Sequence, residues 1–234
     1  MSKTFRTARI FPLLLLAACQ TAPPPAGEHT APQAAPAAAA LPMAGARFRV
    51  DPAASEIRLL VYRAGPLARF GHNHAVVGRP RGEIVAGATA AASGFRLELA
   101  VASLEVDDPE ARAEEGGDFS SRVSDEARRG TREHMLGKDV LDAADYPEIE
   151  IGSISLAGPR WNPDVTARVT LRGATRELRF PAAVVQDGTR LTVIASFPLR
   201  QSDFGITPYS ALGGGLRVQD RIDVRVRLLA RRAG

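Results

Sequence analysis

Short runs in which apolar and polar residues alternate recur along most of the chain. Over residues 56–65, Ile57, Leu59 and Val61 share one face. Over 95–106, Phe95, Leu97, Leu99 and Val101 alternate with Arg96, Glu98 and Ala100. Val165, Ala167, Val169 and Leu171 do the same over 164–173, and Ile222, Val224, Val226 and Leu228 over 221–232. Period two with one polar face predicts antiparallel strands with one side in water. Further runs at 48–51, 81–87 and 148–158 fit the same template. Asp187–Gly188, between runs at 177–186 and 190–201, predicts a hairpin. Many short strands at regular spacing predict a sandwich or a barrel, and only closure removes sheet edges. The fold class expected is therefore all-β, an antiparallel barrel of about eight strands.

The rhythm breaks over residues 124–149. Ser124 suits a helix N-cap, with Asp125 and Glu126 in the first turn. After Gly137, the residues Val140, Leu141 and Ala144 predict a second short helical patch capped by Asp139. Pro147 ends it by forcing Tyr146 out of the helical region. Upstream, 107–121 is charged and contains glycines, which predicts an exposed loop.

Composition divides the chain into three parts. Lys3, Arg6 and Arg9 precede a short apolar run at 10–18, too short to span a bilayer, so residues 1–19 read as a secretory signal. It ends Leu16-Ala17-Ala18-Cys19, and Cys19 is the only cysteine. This resembles the lipobox of bacterial lipoproteins, in which that cysteine is lipidated; an ordinary signal cut nearby is the alternative. A lipidated Cys19 anchors the chain to a membrane, and Gln20 behind it, by resemblance to the sorting rule, implies the periplasmic side of the outer membrane. Residues 20–46, almost entirely Ala, Pro, Thr, Gly and Gln, read as a disordered tether in which His29 is inert. Residues 47–234 suffice for one domain with a sizeable core. Losing residues 1–19 removes three basic residues and lowers the formal charge from +4 to +1. Nothing then calls for nucleic acid. The pattern sets no oligomeric state.

The candidate chemistry centres on Gly71-His72-Asn73-His74, which holds two of the four histidines. On a strand, His72 and His74 point to one face, where both can touch an ion or a polar head group. Two imidazoles make half of a tetrahedral metal site, and a third ligand would be His134 or Asp203. The plainer alternative is histidines bonded to loop backbone around Gly71 and Gly78. No HExxH, CxxC, GxSxG or Walker pattern is present, and Gly213–Gly215 lack a nucleotide-binding context, so no enzyme is expected. The inward positions, Leu97, Leu99, Val169, Val224 and Val226, are aliphatic, and aromatic residues make up only 6% of the chain. Slim side chains leave two outcomes, a collapsed core or a narrow apolar tunnel, of which the collapsed core is the commoner.

Four stretches together resemble the YceI family of periplasmic proteins: FRVDPAASEIRLLVYRAG (48–65), REHMLGKDVLDAADYPEIEIGSISL (132–156), ARVTLRGATRELRFPAAV (167–184) and QSDFGI (201–206). The resemblance implies an extended lipocalin-like barrel with one or two inserted short helices. It also implies binding of an isoprenoid-tailed amphiphile, a polyprenyl quinone or its precursor, in the lumen; no other cofactor is implied. On that reading Leu97, Leu99, Val169, Val224 and Phe204 line or plug the lumen. His72, Asn73, His74 and His134 then serve the polar head. The chain departs from many relatives in carrying two histidines at residues 72–74. The competing reading is a metal- or haem-handling redox accessory protein using His72 and His74.

Overall fold

The computed structural model describes residues 40–234. Cys19, most of the tether and His29 lie outside the described residues. In chain order the elements are strands β1 (Ala46–Val50), β2 (Glu56–Ala64), β3 (His74–Gly78), β4 (Arg81–Ala86), β5 (Gly94–Ala100) and β6 (Glu105–Val106), then helices α1 (Pro109–Glu114) and α2 (Asp125–Leu136). Strands β7 (Glu148–Ala157), β8 (Asp164–Leu171), β9 (Ala174–Asp187), β10 (Arg190–Arg200), β11 (Ser210–Ala211) and β12 (Leu216–Arg232) follow.

Eight strands close an antiparallel barrel in the order β1-β4-β5-β7-β8-β9-β10-β12, with β12 returning to β1. The inward residues are those the alternation marks. On β8, Val165, Ala167 and Val169 are buried, and on β12 so are Ile222, Val224, Leu228 and Ala230. The arginines between them on β12 point to water or to carboxylates, Arg221 to Asp223, Arg231 to Asp51 and Arg225 to the buried side chain of Glu115. Strand β12 is the seam of the design. Phe48, Arg49 and Val50 of β1 pair with its last residues, whereas β2 pairs with its earlier part from Arg217 to Arg227. Strands β3 and β6 extend the sheet beyond β2.

The turns follow local chemistry. Arg172 and Gly173, both at positive φ (51° and 72°), make the two-residue β8–β9 turn, the geometry that matches strand twist. Arg172 is held there by bonds from its guanidinium to the carbonyls of Gly205 and Lys138. Gly188 takes φ 54° in the β9–β10 hairpin that Asp187–Gly188 predicts.

Strand β9 changes partner midway. Residues 174–181 pair with β8, and 182–187 pair with β10. The last β9–β10 pair is Ala182 with Ala195, although β10 continues to Arg200. Two prolines explain the stop. The amides of Ala182 and Val184 donate toward the β8 side, to Pro163 and Trp161, so odd-numbered β9 residues, Pro181 among them, face β10. The amide of Gln201 donates to Asp220 on the far side of β10, so Pro198 faces β9. Neither proline has an N–H to give, and the ladder ends. The rings of Phe180 and Phe197 stack at 4.1 Å where backbone bonds are missing.

Three expectations are corrected. Residues 101–103 form a 3-10 turn that breaks the run at 95–106, because the amide of Val101 donates to Pro147 and both Val101 and Leu104 turn into the core. The patch at 140–144 is a set of turns with Asp142 at φ 49°, held by bonds from Leu141 to Met135 and from Ala143 to Leu136. Residues 107–121 are not an exposed loop: they carry α1 and bury Asp107, Ala111, Arg112 and Phe119.

Candidate functional site

The barrel keeps a bore of about 910 Å³, toward the upper end of the ~300–1,000 Å³ common for small-molecule sites. Its wall is aliphatic: Ile57, Leu59, Leu97, Leu99, Ile151, Val165, Val169, Val193, Val224 and Val226. Of the two outcomes open from composition, the tunnel is the one observed. Polar side chains gather at its ends. One end carries His74, Thr131, His134, Gln201 and Tyr209, and the other Ser93, Arg160, Trp161 and Gln186.

His74 opens β3 opposite Val61 of β2, and its ring reaches the bore wall. Its Nδ1 lies 2.6 Å from Oδ2 of Asp107. Asp107 follows β6 at φ 56° and prolongs the sheet, donating its amide to Ala75 and accepting the Ala75 amide at Oδ1 (3.0 Å). The next residue, Asp108, caps α1 by accepting from the amides of Glu110 and Ala111, with Pro109 at the first helical position. That short helix returns Arg112 to the same carboxylate. Arg112 donates to Asp107 Oδ1 at 2.6 Å, to the carbonyls of Asn73 (2.6 Å), Phe119 (2.8 Å) and Ser121 (3.0 Å), and to Ser121 Oγ (3.2 Å). A buried guanidinium with that many acceptors leaves little of its hydrogen-bonding capacity unused.

The sequence candidates separate accordingly. His72 precedes the strand, and its Nδ1 meets Ser121 Oγ at 3.2 Å rather than the bore. The expectation that His72 and His74 share one face is corrected by this, because β3 begins only at His74. Asn73 is buried in the scaffold, accepting from the Arg63 amide and donating to the Asp118 carbonyl. His134, near the end of α2, lines the bore and packs edge-on to Tyr209, ring centroids 4.5 Å apart. Leu97, Leu99, Val169 and Val224 line the bore. Phe204 is buried in the core cluster with Leu99, Leu104 and Ile206, off the bore wall. Asp203 is exposed in the neighbouring 3-10 turn. Among the described residues no three His, Cys, Asp or Glu side chains converge as a metal site. Asp107 and Arg112 are the residues that sequence reasoning missed. They lie 33 and 38 positions beyond His74 in a segment whose charge mimics a solvated loop.

Burial alone would push the Asp107 carboxyl up, but the bond and charge of His74, the Ala75 amide and Arg112 outweigh it and hold it below the usual range. The His72 imidazole is pushed down by burial first, then by neighbouring His74 and Arg112. With Asp107 ionised, His74 Nδ1 is the donor, and in the neutral ring Nε2 is left as an acceptor. The linkage has a definite sign. The folded carboxyl of Asp107 ionises below its unfolded value of ~3.9. Its contribution to stability is present above that pH and is lost as pH falls through the folded pKa. Asp107→Asn is therefore expected to flatten the stability–pH curve below about pH 4, read by urea unfolding at a series of pH values. An unchanged acid limb would show that the pair does not form.

The YceI-like domain profile matches residues 48–230. No curated protein matches the chain in sequence. Among solved structures, BcnA of Burkholderia cenocepacia aligns with TM-score 0.52 at 19% identity, covering 77% of this chain and 98% of that one. A polyisoprenoid binding domain from Saccharophagus degradans implicated in plant cell wall breakdown aligns with TM-score 0.56 at 14% identity, covering 81% of this chain and 100% of that one. At those identities the two structures speak for the fold, a closed eight-stranded barrel. The sequence profile spans nearly the whole described domain, and the chain therefore belongs to the YceI-like domain family.

Proposed function

We propose that the chain is a periplasmic binding protein that holds an isoprenoid-tailed amphiphile in its bore and is anchored to the outer membrane through lipidated Cys19. The observation that carries this reading is the aliphatic bore of about 910 Å³ with His74 at one end. A branched hydrocarbon chain is favoured there because each buried CH₂ contributes about 0.8 kcal/mol and an apolar cavity offers water no partners. The Saccharophagus degradans domain, described as polyisoprenoid binding, has the same fold. No chemical step is assigned to the site; its role is binding.

With Nδ1 of His74 committed to Asp107, the neutral ring presents Nε2 as acceptor, and the head group that suits that form carries a hydroxyl: a prenyl phenol, quinol or prenol. His74→Leu is expected to weaken a hydroxyl-bearing prenyl chain by up to about tenfold, the worth of one hydrogen bond. It should leave an isoprenoid hydrocarbon unaffected, both measured by competition against a fluorescent prenyl probe. The broader test is mass spectrometry of lipid extracted from the full-length protein purified from its native membrane. A prenyl lipid in near-stoichiometric amount is expected, and protein free of lipid that also fails to take up added prenol would refute the reading.

A further inference from the structure

The outer face of β9 and β10 departs from the rest of the barrel. Val185 and Ile194 point to water and are 64% and 54% exposed. Trp161 is 70% exposed in the β7–β8 turn, and its carbonyl accepts from the Val184 amide, one residue from Val185. Exposed Arg160, Arg179, Arg190 and Arg227 surround this patch and outnumber the exposed acids Asp187, opposite Arg190, and Glu114, in the cleft beside Ile194, so the surround is net basic. Ile194 stands one residue from the pair at which β9 and β10 cease to bond. Beyond that pair the ladder does not continue; Phe180 stacks on Phe197 there, both rings also face the bore, and Leu178 of β9 packs nearby against the cluster that holds Phe204 and Ile206. Trp161 itself sits at a bore end. The chain arrives at that same end: Ala46 of β1 pairs with Ala86 beside the 87–93 turn, and Pro42 lies against Gly94.

We infer that this face docks on an anionic bilayer and that the proline-interrupted β9–β10 seam is the lateral passage by which a prenyl chain moves between bilayer and bore. The inference rests on the isoprenoid-binding reading above and adds where the lipid crosses the wall. The physical case has three parts. An indole with two aliphatic neighbours and a basic surround suits the interfacial zone of a membrane. A seam beyond the end of its ladder opens by moving side chains, the stacked Phe180 and Phe197 first, whereas separating paired strands would break a ladder of hydrogen bonds. Residues 42–46 enter the barrel at the Trp161 end, so an anchor at Cys19, as proposed, would keep this end near the membrane.

Trp161 is the only tryptophan of the chain, so its emission has a single source, at this face and the bore end beside it. The full chain carrying Cys19→Ser, which cannot be lipidated, is mixed with phosphatidylcholine vesicles with or without phosphatidylglycerol. Docking predicts a blue shift on the anionic vesicles and quenching by brominated acyl chains. Val185→Glu with Ile194→Glu, both outside the bore wall, should lower vesicle affinity and slow transfer of an NBD-labelled farnesyl probe from vesicles by about tenfold or more. Phe180→Leu with Phe197→Leu keeps an apolar closure without the stack. It should raise the association rate of the probe by up to about tenfold, read separately from release. Trp161 unquenched on vesicles that sediment the protein, glutamate variants that load as fast as the parent, or an unchanged association rate would each overturn the proposal. Equilibrium uptake of the probe from detergent micelles tests the bore itself. Uptake with an unquenched Trp161 removes only the docking seam, and no uptake removes the binding reading.

Discussion

Arg112→Ala is expected to destabilise the domain by about 3–5 kcal/mol, the range found when one partner of a buried ion pair is removed. Arg112 is buried, and the Asp107 side chain beside it is fully buried. Truncation strands a carboxylate away from water and at once leaves the carbonyls of Asn73, Phe119 and Ser121 short of a donor. The segment 107–121 then rests on Phe119 and Ala111, on Arg58 bonded to Ala111, Glu114 and Glu115, and on Asn73 bonded to Asp118. Urea denaturation reads the loss directly, and a change below about 1 kcal/mol, as at an exposed pair, would show that the network is not built as described. Arg112→Lys should recover little of the loss, because one ammonium cannot reproduce a planar fork spread over two faces of a turn.

Filling the bore should have the largest effect on binding. Val193 and Val226 are partly buried, face the bore and lie on adjacent strands, Val226 opposite Ala195. Val193→Trp with Val226→Trp places two indoles where a prenyl chain would run. Over-packing a filled core costs about 1–3 kcal/mol, but here there is room to receive the rings, so the unfolding midpoint should hold. At about 0.8 kcal/mol per CH₂, excluding even one five-carbon unit removes several kcal/mol, and probe affinity should fall by about hundredfold or more. Fluorescence titration and the lipid content of the purified variant check this. A variant that stays folded and binds as tightly as the parent would place the ligand elsewhere.

The barrel was legible because its strands obey one rule. Val165-Ala167-Val169 and Ile222-Val224-Val226-Leu228 alternate so regularly that their inward face can be read without coordinates. Strand β3 was not legible, because Ala75, Val76 and Val77 are apolar on both faces, one toward the bore and one beneath α1. His74 stood out by its scarcity, yet its partner could not be inferred. The charges of Asp107 and Arg112 are neutralised by each other and by backbone carbonyls, and a one-dimensional pattern cannot distinguish that from hydration. Arg58 is a parallel case: burial opposes its charge, but Glu56, Glu115 and Glu114 together raise its pKa, so a charged side chain lies buried under α1. Two features were present in plain letters. Phe180-Pro181 and Phe197-Pro198 each place an aromatic residue before a proline inside a strand, the signature of a ladder that must stop.

Strand β12 bonds to β1, β2, β10 and β11. Phe48 meets Arg232 only after all the residues between them have been made, so β1 and β2, though paired with β4 and β3, each keep one edge open until the final strand arrives. A chain of such high contact order folds slowly, and its unpaired edges are open to misassociation while it waits. If the chain is exported through a translocon, as proposed above, the same delay is useful: no closed barrel can form before the closing segment has crossed. Deleting the segment that follows Leu228 should therefore yield an aggregating, protease-sensitive product instead of a shortened barrel.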